Sequence, residues 1–131
     1  MSDQNLWGDI PRMEKVESPI AILKKQALYL GKMTNNLLEA EVKIHSNSPN
    51  QVRADLVIVA PTLGGYQVQI IRIQHGLEIY PVNIMNIREN KGFSAADETS
   101  FLSLIKECLQ SEKVQNVIKA LLIQVDQSDV V

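Results

Sequence analysis

The chain of 131 residues has one cysteine, two histidines, one tryptophan and two phenylalanines. Each scarcity excludes something. A lone Cys108 cannot form an internal disulfide, and a reducing cytoplasm is the compartment this composition predicts. A zinc site draws three or four ligands from Cys, His and carboxylates, and His45, His75 and Cys108 are too few and too scattered to supply one. No apolar run approaches the roughly 18 residues of a membrane span. The first residues, MSDQNLWGDIPRMEK, lack the basic and apolar regions of a secretory signal. No large excess of positive charge is present either: the formal net charge is −2. A dominant footprint for nucleic acid or anionic membrane is not expected from that balance.

Catalytic signatures are also missing. Gly64-Gly65 follows an apolar run but leads into another, whereas a phosphate loop needs a helix N-terminus behind it. No serine occupies a G-x-S-x-G elbow. Glu39 and Glu41 share a face with His45, but nothing in the sequence gives that face a proton donor or a metal partner. Cys108 sits on the apolar stripe of a helix, where a thiol is buried and inert. The chain therefore reads as non-enzymatic, with no cofactor.

What is present is a block of β-branched residues from Val52 to Ile84. Val52 to Ala60 begins with alternating polarity and ends apolar on both sides, as a central strand does. PTLGG then suits a hairpin loop. In Tyr66 to Gln74 the alternation changes phase: Val68 and Ile70 lie on one face, Ile71 and Ile73 on the other. Such a change suggests a bulge or a second covered face. His75-Gly76 reads as a tight turn. A third run, Leu77 to Ile84, contains Pro81 and is expected at an edge. Ahead of this block, Leu37 to Ser46 alternates Leu38, Ala40, Val42 and Ile44 with Glu39, Glu41, Lys43 and His45, a half-buried strand.

Helices flank the sheet. Ser18-Pro19 starts one, with Ile20, Leu23, Ala27 and Leu30 as its stripe and an end near Gly31. Met85 to Ser94 reads as a loop. A second helix starts between Ser94 and Asp97, which resemble a capping box, and presents Phe101, Leu102, Leu104, Ile105, Cys108 and Leu109 as its apolar face. Ser111 caps a third, or a continuation of the second. The predicted fold is α+β: a four-stranded antiparallel meander packed by an N-terminal helix and one or two C-terminal helices. Residues 1–17 form an arm, 18–125 a single domain and 126–131 a frayed tail.

From Ser18 to Gln124 the element order is similar to that of double-stranded RNA-binding domains, which run helix, three strands, helix. The similarity is one of topology alone, which many small α+β domains share. It implies contact with RNA through shape and phosphates. Those domains carry a lysine cluster at the start of the last helix, where SEKVQNVIK has only Lys113 and Lys119.

Two functions follow as expectations. One is a protein-interaction module (an adaptor, an immunity-type inhibitor or a chaperone-like protein) that self-associates. Trp7 is expected to pack back on its own domain, as large aromatics mostly do. The sharper reading makes it a hot-spot anchor, and the candidate interface is then Trp7 with Val57, Val59, Ile71 and Ile73. The last four, all apolar, would cluster on one sheet face. Helices divided between the two faces would cover them in a monomer; the favoured reading is that all helices pack on the other face and a homodimer covers them. The other is a nucleic-acid-binding module using Lys24, Lys25, Lys32, Lys113 and Lys119.

Overall fold

The computed structural model describes residues 4–11, 16–48 and 51–128. Helix α1 (Pro19–Met33) leads into strands β1 (Glu39–Ser48), β2 (Gln51–Ala60), β3 (Tyr66–Gly76), β4 (Val82–Asn86) and β5 (Lys91–Ala95), followed by α2 (Glu98–Leu109) and α3 (Glu112–Ser128). The strands form one antiparallel sheet in the order β1-β2-β3-β4-β5. The α+β class and the meander hold. The sheet has five strands rather than four.

The extra strand has a local cause. Leu77 to Pro81 is a turn, not the start of a strand. Ile79 takes a left-handed φ of 75°, and its N–H donates to the Gly76 carbonyl at 3.1 Å. The ladder of β3 runs on through Gly76, so the turn comes after His75-Gly76. Pairing then resumes at Val82, just past the proline that lacks a donor. The expected loop at residues 85–94 takes in the end of β4 and all of β5, KGFSA, but its last residue; the glycine and serine of β5 hide its strand character.

The phase change in β3 is a bulge. Leu56 pairs with Ile71 but Val57 pairs with Gln69, leaving Ile70 as the extra residue. Directly paired residues share a face. The bulge therefore turns Ile71 and Ile73 to the side of Leu56 and Ala54, and Ile70 stays buried there too.

The helices cover that side. α1 packs on β1 and the rim of β2, α2 on β5, and α3 on the 3-10 turn Pro61–Leu63. Ser18 caps α1 by accepting from the Ala21 N–H, and Pro19 fills the first turn, as the sequence predicts. The helix continues two residues beyond Gly31, to Met33. The box that starts α2 lies three residues later than expected. Asp97 accepts from the Ser100 N–H at 2.8 Å, and the Ser100 hydroxyl accepts from the Asp97 N–H at 3.1 Å. Ser94 belongs to β5. A break at Gln110–Ser111 separates α2 from α3. There the Ser111 hydroxyl donates to the Cys108 carbonyl at 2.7 Å and accepts from the buried Asn86 amide at 3.3 Å. That bond ties the β4–β5 turn to the helix junction.

The expected core residues Leu23, Leu56, Ile58, Ile70, Phe101, Ile105 and Leu121 are buried, while Ala27, Leu30, Val42, Val68 and Val117 are partly so. Ile44 is 50% exposed instead, because β1 is an edge strand. Of the expected tail, residues 126–128 continue α3, and 129–131 lie outside the described residues.

Cys108 is buried, and desolvation pushes its thiol from an ordinary value near 9 up to about 11. Native protein at pH 8 should therefore react with a thiol reagent far more slowly than urea-unfolded protein. Equal rates would place Cys108 at the surface. The folded state holds this proton more tightly than the unfolded one, so the contribution to stability is complete below pH 9. It falls by about 1.4 kcal/mol per unit, at most, as pH rises from there toward 11.

Candidate functional site

Two helical layers on one sheet face leave a gap between them. α1 stands on one side, α2 and α3 on the other, and Ala40, Leu56, Ile58 and Ile70 form the floor. The groove encloses about 430 Å³, within the range of small-ligand and peptide-anchor pockets. Its lining is apolar. From α1 come Ile22, Tyr29, Leu30 and Met33; from α2, Leu102, Ile105 and Leu109; from α3, Val114 and Ile118. Lys106 is the one charged lining residue, beside Gln26, Gln110 and Gln115.

The rim is apolar as well. Tyr29 is 55%, Met33 80% and Leu102 46% exposed. Local sequence explains this. The core stripe of α1 is Leu23, Ala27 and Leu30. A second row, Ile22, Gln26, Tyr29 and Met33, runs beside it at helical spacing and faces the groove. An apolar arc wider than the core needs was the signal of this site in the sequence. The expected interface did not include it.

The expected interface does not come together. Ile71 and Ile73 are fully buried beneath the helices. Val57 and Val59 lie on the opposite face and are buried too, flanked across the ladder by Glu41 and Gln69, and by Glu39 and Gln67. No four-residue apolar patch faces solvent there. Trp7 is 85% exposed, in a turn where the Asn5 side-chain oxygen accepts from its N–H at 3.0 Å.

The open sheet face is polar and centred on Asp55, which is 6% exposed. Its Oδ1 accepts from Arg72 Nε at 3.0 Å, while Oδ2 lies 3.4 Å from His45 Nε2 and 4.0 Å from an Arg53 Nη. This carboxylate is the shared counter-ion of Arg72 and Arg53, with His45 beside it. Among the described residues no group of three or more His, Cys, Asp or Glu is placed to hold a metal ion.

The chain matches no protein-family model, no curated protein and no solved structure. The lysines of the nucleic-acid expectation divide between α1, with Lys24, Lys25 and Lys32, and α3, with Lys113 and Lys119. Lys25 is paired with Glu17 at 2.7 Å. Among the described residues no helix is long and apolar enough to cross a membrane.

Proposed function

We propose that this protein is a non-enzymatic protein-interaction module whose groove receives an apolar segment of a partner protein. The observation that carries this is the open apolar channel between α1 and the α2–α3 pair, with Tyr29, Met33 and Leu102 exposed along its rim. Contiguous exposed apolar surface rimmed by glutamines and a single lysine is the usual form of a protein-docking groove. The groove follows α1 from Ile22 to Met33, about 16 Å at 1.5 Å per residue, enough for two or three anchor side chains. Lys106 favours a segment that carries an acidic residue beside those anchors. The nucleic-acid alternative draws less support. It would need the lysines of α1 and α3 to act together, and Lys25 is already engaged by Glu17.

A fluorescein-labelled amphipathic peptide with Leu and Phe at helical spacing and one Glu provides the test. We expect micromolar binding by anisotropy. Met33→Glu and Leu102→Glu, both at exposed rim positions, should weaken it by about tenfold or more, corresponding to about 1.4 kcal/mol. Undetectable binding, or binding indifferent to both substitutions, would overturn the proposal. RNA binding with a steep salt dependence would favour the alternative.

A further inference from the structure

β1 is an edge strand, and nothing among the described residues covers its outer side. It pairs with β2 along one side from Glu39 to His45 and then, past an irregularity, at Ser48. Its other side offers unpaired N–H and C=O groups along a strand of ten residues. Edges of that length are normally shortened, bulged, blocked by proline or studded with charge, because they invite pairing; β1 relies on charge alone, and its charges are of both signs. Among the residues of β1 that keep register, none is a proline and no bulge interrupts Glu39 to His45.

The charges on this strand are self-complementary. Glu39, Glu41, Lys43 and His45 share the open sheet face, since they pair with Val59, Val57, Asp55 and Arg53 there. Suppose a second copy pairs antiparallel about a two-fold axis normal to the sheet, so that both helical layers stay on one side. Residues then meet others of the same parity. With the axis at Val42, each Glu41 meets the partner's Lys43 and each Glu39 meets the partner's His45. Shifting the axis to Glu41 or Lys43 sets that residue against its own copy. Shifting it to Ala40 sets Glu39 against Glu41, and shifting it to Ile44 sets Lys43 against His45. Only the Val42 register sets both glutamates against basic residues, with Glu41 and Lys43 as the pair of opposite charge.

The helical side agrees. In that register each half-exposed Ile44 lies across from Ala40, and Val42 meets its own copy. α1 sits over this edge. Leu28 of this helix is 67% exposed. From these observations we infer that the protein forms a two-fold dimer by β1–β1 pairing centred on Val42, making one ten-stranded antiparallel sheet. The partner is a second copy of this chain. This interface is separate from the groove and from the buried residues first expected to form it, and it stands or falls independently of the groove proposal.

Charge exchange tests it. By sedimentation the wild-type protein should be a dimer at micromolar concentration. Glu41→Lys turns two symmetric attractions into repulsions and should raise the dimer dissociation constant on the order of thirtyfold. Lys43→Glu should do the same. Combining the two exchanges restores opposite charges across the axis and should restore the dimer. Both positions are exposed, so circular dichroism should show an unchanged fold. If Lys43→Glu folds poorly through loss of its hydrogen bond to Gln67, Glu41→Lys with Glu39→Lys carries the test alone. A wild-type monomer at high micromolar concentration, or a dimer insensitive to the single exchanges, would overturn the inference. Peptide binding in the groove should be equal in the wild type and the Glu41→Lys monomer, so failure of one proposal is visible apart from the other.

Discussion

Ile71→Asp is expected to abolish the native fold, whereas Gln67→Ala four residues away leaves it intact. Strict alternation from Gln67 and Gln69 would put Ile71 on their face, the open one. The extra residue Ile70 reverses the phase, and Ile71 is fully buried opposite Leu56 under the helices. Aspartate there forfeits roughly 1.5–3 kcal/mol of apolar burial. It also places a carboxylate in the apolar core, which costs several kcal/mol more or forces the group to protonate. A domain of this size has about 5–15 kcal/mol in total, so most of its stability is gone. Gln67 is exposed, and its truncation should cost less than about 1 kcal/mol, including its bond to Lys43. Urea unfolding followed by circular dichroism reads both. A cooperative Ile71→Asp transition within about 1 kcal/mol of wild type would mean that the bulge does not set the faces as described.

That bulge also marks the limit of what the sequence disclosed. Its phase change is plain in the order Gln69, Ile70, Ile71, Arg72, and a bulge is the simplest cause. The consequence for the face of Ile71 and Ile73 depends on which residue is extra, and only the pairing with Leu56 and Val57 settles that. An expected apolar patch of four thereby became two valines shielded by neighbouring Glu and Gln side chains. Elements with strong periodicity or a specific cap were legible: the Ser18-Pro19 start, the alternating β1, the central β2 and the helix carrying Phe101 and Cys108. Lys91–Ala95 was not. Its pairing with β4 is a tertiary effect that overrides weak local propensity. The groove was half visible, because the row Ile22, Tyr29 and Met33 exceeds what one sheet can cover. A helical stripe says that a face is apolar, but not whether the neighbouring helix stands close enough to close over it.

Asp55→Ala should be the most damaging substitution on the open face, costing about 3 kcal/mol. The carboxylate on β2 is buried among Arg72 of β3, Arg53 of β2 and His45 of the edge strand β1. Removing one partner of a buried ion pair typically costs about 3–5 kcal/mol, because the remaining charge is stranded. Here Arg72 and Arg53 are each about one-third exposed, so water recovers part of that loss, and the lower end applies. Asp55→Asn keeps the shape and an oxygen that can still accept from Arg72 Nε. It loses only the charge assistance, and about 1–2 kcal/mol is expected. Arg72→Ala removes the shortest contact but leaves Arg53 and His45 beside the carboxylate, so it should cost less than Asp55→Ala. The double variant Asp55→Ala with Arg72→Ala should then be more stable than the sum of the single losses predicts, with about 1 kcal/mol or more of coupling between two residues in direct contact. Additive losses would show that the 3.0 Å bond carries no energy of its own, and that the open face is held by the ladder beneath it alone.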